Sequence, residues 1–278
     1  MSQRIYKKVQ APEGVAPGQT ATVRLPIGVK YHDVSLVTNM TLANMTEIRL
    51  IANNKVIHRY SAAERDTINR FYGLEAFAGI LLIPFDRKAL KVRAMEEVTG
   101  INTGVRGENG EKISALYLEV DIAADAVSPT LDVYATTSAA TPEGVGTVMH
   151  IKKNTRNSAG AGELEISDLP YNEPTAAALN SVFMFPRDNL GAPVAMNKVT
   201  IERGLYKVFE RTKALNDFMQ KNGGRVPQAD VFAVDFTENG YGANALDLRG
   251  YQDFRYRLDM AGAANISVVS EYLGILGD

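Results

Sequence analysis

The chain has 278 residues, enough for one large domain or two of ordinary size. Apolar residues make up 45% of it and charged residues 22%, which excludes a disordered chain. The 30 basic and 32 acidic residues lack the basic excess of a protein that coats nucleic acid, so direct genome binding is not expected; the absence of cysteine excludes disulfides, thiol catalysis and thiolate metal sites.

Residues 1–18 read as an N-terminal arm without the apolar core of a secretion signal. Short runs of period-two alternation follow at 20–27, 32–38, 47–51, 55–60, 115–122 and 130–135, each with one apolar face, as in half-buried strands. Asn53 and Asn54 lie between two of these runs, where a tight hairpin turn belongs. The longest apolar run, 76–85, is about half of what a membrane-spanning helix needs. The second half opens at 162–167 and continues through 179–185, 198–202, 205–210, 230–236, 254–260 and 265–270.

The two halves correspond. An offset of 151 places Met45 on Met196, Ile48 on Val199, Leu50 on Ile201, Ile57 on Val208, Ser61 on Thr212, Asp66 on Asp217 and Ile68 on Met219. In each half a hairpin runs into a hydroxyl residue and then a short helix. Ser61 with Glu64 forms a capping box, and Gly73 and Gly223–Gly224 are helix stops. Later, residues 120–123 resemble 258–261 at an offset of 138, which assigns the length difference to a loop at 87–112. Many short antiparallel strands with one helix per repeat predict an all-β protein of two tandem eight-stranded jelly-roll barrels. The expected boundaries are an arm at 1–18, a first jelly roll at 19–140, a linker at 141–160 and a second jelly roll at 161–278. Val23, Leu25, Leu118, Val120, Val231 and Ala233 are the expected core positions.

Three stretches carry a family resemblance. Residues 16–28 end in Leu25, Pro26, Ile27 and Gly28; residues 165–170 open the second repeat; residues 268–274 form its last strand. In order, and at this spacing, they resemble the major capsid proteins of corticoviruses, bacteriophages with an internal membrane. The resemblance implies homotrimers of pseudo-hexagonal outline that tile an icosahedral shell over a lipid membrane. It also implies contacts with neighbouring trimers, with a vertex penton or spike protein and with the internal membrane or its proteins.

Several local features have two readings. Arg4, Lys7 and Lys8 fit either an arm touching anionic lipid headgroups or a solvated terminus. Lys152, Lys153 and Arg156 form a second basic patch, assigned to the linker. Asp121 with Asp125, Glu96 with Glu97, and Asp230 with Asp235 are acidic pairs. They read as solvated surface, with calcium at subunit contacts as the alternative. His32, His58 and His150 are too scattered to suggest a zinc or catalytic cluster. Two competing readings are a peptide-N-glycanase-like hydrolase on the same scaffold and a lectin-like binding module. The lack of tryptophan counts against sugar binding in both.

Overall fold

The computed structural model describes residues 3–277, which form two compact units. The first comprises the residues up to Ile151 together with those from Ile275; the second is Lys152–Gly274. The first contains β1 (Ile5–Lys8), β2 (Thr20–Arg24), β3 (Val29–Thr38), β4 (Met45–Ala52), β5 (Lys55–Tyr60), α1 (Ala62–Phe71), β6 (Ile80–Pro84), α2 (Arg93–Glu96), β7 (Ile101–Asn102), β8 (Leu116–Ile122) and β9 (Leu131–Ala139). The division falls inside β10 (Val148–Ser158). The second unit continues with β11 (Gly162–Ile166), β12 (Ala178–Arg187), β13 (Met196–Arg203), β14 (Tyr206–Thr212), α3 (Lys213–Asn222), β15 (Phe232–Asp235), β16 (Leu246–Asp247), β17 (Phe254–Met260) and β18 (Ala264–Gly274).

Each unit is a jelly roll of two antiparallel sheets. In the first unit the strand orders are β1-β9-β3-β6, with β7 on β3, and β2-β8-β4-β5; β10 joins β5 in parallel where Ile151 faces His58. In the second they are β15-β12-β18, with β16 on β12, and β11-β17-β13-β14. Alternation supplies the core. Val34, Leu36, Val133, Val23, Ile48, Leu50, Leu118 and Val120 are at most 1% exposed.

The repeat extends to its irregularities. Three β-bulges interrupt the ladders of the first unit, at His32, Thr46 and Ile57. The second unit carries the same three at Asn180, Asn197 and Val208. A bulge shifts the register and re-aims side chains, so three shared bulges reflect one architecture used twice. Both helices also match. Ser61 Oγ accepts from Glu64 N (3.2 Å) and Glu64 Oε2 accepts from Ser61 N (2.7 Å), which completes the capping box; Thr212 Oγ1 accepts from Leu215 N at 3.5 Å. Gly73 and Gly224 follow the helices at φ +76° and +83°, a conformation that glycine adopts without Cβ strain.

Some details depart from expectation. Residues 5–8 of the expected arm form β1, paired antiparallel with β9. The segment 141–160, expected as a linker, contains the whole of an 11-residue strand, β10. In the second unit Phe232 and Val234 belong to the hydrophobic core, whereas Val231 and Ala233 are buried outside it. The register that sets Val182 opposite Val234 and Met184 opposite Phe232 fixes which face of β15 turns inward.

The caps provide a direct test. Ser61→Ala removes the hydroxyl arm of the capping box, leaving Glu64 to accept from the backbone N–H of position 61, and is expected to destabilise the protein by about 1 kcal/mol. Thr212→Ala, with one long cap bond, costs less. Urea unfolding of the two variants gives the comparison.

Candidate assembly surfaces and buried charge clusters

Two of the three N-terminal cations, Arg4 and Lys8, are engaged within the first unit. Arg4 donates to Asp86 Oδ2 (2.9 Å) and Glu97 Oε1 (2.8 Å). Lys8 pairs with Asp132 at 2.8 Å, and that hydrogen bond raises its pKa. Lys7 is exposed on β1. Asp86 is also met by His32 Nδ1 at 3.0 Å, and His32 Nε2 lies 2.9 Å from Ser138 Oγ. This Ser-His-Asp order of contacts is that of an acyl-transfer triad. Ser138 and His32 are only 6% and 2% exposed, so the hydroxyl has no open approach for a substrate carbonyl. Its role is to tie β9 and β3 to the segment after β6.

The acidic pairs have separate partners. Asp121 accepts from both Arg49 Nη atoms (2.6 and 2.8 Å) and from Thr20 Oγ1 (2.6 Å). The Arg49 guanidinium holds the Asp121 carboxyl below the usual carboxylate range. Asp125 lies 3.5 Å from Asn44 Nδ2. Glu96 pairs with Lys88 and Glu97 with Arg93. Asp230 faces Arg187, whereas Asp235 is buried against Arg225. Among the described residues no three of His, Asp or Glu converge as metal ligands would. In β10, Lys152 meets Glu173 (3.2 Å) and Arg156 meets Asp168 (2.8 Å).

Two buried polar groups are structural. Arg225 Nε donates to Asp235 Oδ2 at 2.7 Å, and Thr237 N and Oγ1 each donate to Asp235 Oδ1 at 2.7 Å. Both charged side chains are at most 1% exposed. His58 is buried beside the Tyr60 and Phe85 rings, with Nε2 3.1 Å from Met149 O. Burial, then the charge on Arg65, pushes its pKa down to about 3.

One helix carries its apolar side chains outward. Leu215, Phe218 and Met219 of α3 are 50%, 61% and 38% exposed. Their i, i+3, i+4 spacing marks one stripe of a helix, and such stripes ordinarily face the core. In the first unit Tyr6 and Ile80 are more than half exposed. Tyr6 stacks on Tyr134 with centroids 5.4 Å apart.

Comparison with known proteins places this architecture. The family described as viral coat protein P2 N-terminal domain matches residues 6–138, and the viral coat protein P2 C-terminal domain matches residues 148–276. The chain is similar in structure to the major capsid protein P2 of bacteriophage PM2, at TM-score 0.86 and 19% identity over 99% of this chain and 98% of that one. It is also similar to the STIV major capsid protein, at TM-score 0.68 and 9% identity over 99% and 97% of the two chains. For the PBCV-1 virus capsid the TM-score is 0.63, with 9% identity over 98% and 94%. No curated protein sequence matches.

Two outcomes follow from the buried groups. His58 has a folded pKa of about 3 and titrates near 6.5 when unfolded, so between these values only the unfolded state takes the proton. Stability is therefore lost as pH falls through that window, by about 1.4 kcal/mol per pH unit from this group. His58→Gln is expected to flatten the stability–pH profile by one proton, read from urea midpoints between pH 7 and pH 4 (roughly the window set by linkage). Arg225→Met strands the Asp235 carboxylate and is expected to cost about 3–5 kcal/mol; adding Asp235→Leu recovers much of it.

Proposed function

The chain belongs to the viral coat protein P2 family, and on that premise we propose that it is a major capsid protein whose homotrimers, pseudo-hexagonal in outline, tile an icosahedral shell over an internal membrane. The observation that carries this reading is the duplication: one strand order and one set of bulges used twice in a chain. Three copies of a twofold-repeated unit present six similar edges, so a single protein can fill a hexagonal lattice position. Mechanism here is assembly rather than turnover. Contacts within a trimer are large and apolar, as in obligate oligomers, and contacts between trimers are smaller and more polar, which lets misplaced units detach.

The other partners are a vertex protein and the membrane beneath the shell. The ion pairs of Arg4 and Lys8 favour a structural role for these two residues over contact with anionic headgroups.

Light scattering of the purified protein is expected to give three times the 30.3 kDa chain mass. Electron micrographs are expected to show six-lobed particles. A monomer at capsid-forming concentrations would overturn the reading.

A further inference from the structure

We propose that the outward face of α3 in one copy docks on the outer face of the β1-β9-β3-β6 sheet of the next copy, joining copies head to tail. This rests on the capsid reading above and names the surfaces that make its contact.

The helix is turned inside out. Asn216 and Gln220, 0% and 1% exposed, both donate to Ala233 O, at 2.6 and 2.5 Å. One turn apart, they fix the polar side of α3 inward. Leu215, Phe218 and Met219 are thereby held outward. Rotating the helix to bury them would break both amide N–H bonds to the Ala233 carbonyl.

The first unit shows that this arrangement is particular to α3. At an offset of 151, Arg65 and Asn69 take the inward positions of Asn216 and Gln220, with Arg65 Nε donating to Asn69 Oδ1 and Asn69 Nδ2 donating to Leu82 O. Glu64 and Thr67 correspond to Leu215 and Phe218. Leu215 therefore stands where a glutamate would complete the capping box, as Glu64 does in α1. A local rule broken in favour of an exposed leucine marks a position chosen for contact.

The receiving surface is in the first unit. Leu81 and Ile83 of β6 point into the core, which turns Ile80 and Leu82 outward, and Ile80 faces Val37 across the ladder. On the far side of the sheet, exposed Tyr6 stacks on Tyr134. This face is mixed, since the Lys8–Asp132 ion pair shares it, and its exposed apolar side chains are Tyr6 and Ile80; each copy thus owns two unlike faces that carry exposed apolar side chains, one on each unit. Pairing α3 with α3 would leave the sheet face uncovered. Pairing unlike faces lets every copy give one contact and receive one, and such a heterologous contact forms a ring when its rotation closes. Coat-protein copies abut in the shell, so the second copy is the partner at hand. Three side chains are only the anchor of a contact that spans roughly 800 Å² per partner.

The chain has no cysteine, which makes the contact directly testable. Tyr6→Cys with Phe218→Cys in one chain, treated with a short bismaleimide, is expected to give covalent oligomers on a denaturing gel. Either single variant should give none. A trimer in which the pair does not cross-link, or in which Phe218→Cys alone links as well, overturns the proposal. Leu215→Asp with Phe218→Asp is expected to raise the trimer dissociation midpoint at least tenfold while the circular dichroism spectrum stays that of wild type. Leu190→Asp, on a loop residue 94% exposed, is the control expected to stay trimeric. Unchanged trimers in the double aspartate variant sink this contact and leave the capsid reading standing. A monomeric wild type sinks the capsid reading itself.

Discussion

A strand in a two-sheet sandwich has an inner and an outer face, and a slip of one residue exchanges them. The bulges decide the matter here. The bulge at His32 sends Val34 and Leu36 of β3 inward, and its twin at Asn180 does the same for Val182 and Met184 of β12. With the interior fixed twice by the same device, the exteriors are left to diverge. On the second faces of these strands, Ser35 and Val37 in β3 correspond by that register to Phe183 and Phe185 in β12, and of these four only Val37 is not buried. On the other sheets, Arg49 on β4 binds acids of β8, whereas Arg257 on β17 binds Glu163 and Glu202 on its two neighbours. The two units are thus alike in their cores and unlike in the charges they carry on their outer strands.

Buried charge gives each unit fixed anchor points. Asp86 gathers His32 and Arg4, and Asp235 gathers Arg225 and Thr237. Each cluster holds a segment next to an edge strand of its unit. Such groups are costly to bury and lose their partners only at high cost, so they specify one arrangement of these segments.

Much of this was legible in the sequence where one physical signal dominates. Ser61 with Glu64, and Gly73 with Gly224, located both helices because capping chemistry is local. Asn53 and Asn54, at φ +49° and +67°, formed the expected turn. β1 was not legible, since all four of its residues are exposed and no buried face imposes alternation. In β10 only residues 148–151 are buried, and the basic residues beyond them resemble a solvated linker. The cluster at Asp86 joins residues 54 and 82 positions away, beyond any local pattern. For α3 the sequence does not say which face turns inward; that choice lies with the carbonyl of Ala233, a contact made only in the folded unit.

Residues 275–277 return to the first unit. Ile275 O meets His150 Nε2 (2.8 Å), Gly277 O accepts from Lys55 Nζ (2.5 Å), and Glu111 accepts from the backbone of Leu276 and Gly277. The polypeptide therefore completes its earlier module last. During translation His150 and Lys55 wait for partners made 125 and 222 residues later, so that module stays open until the later one has been synthesised.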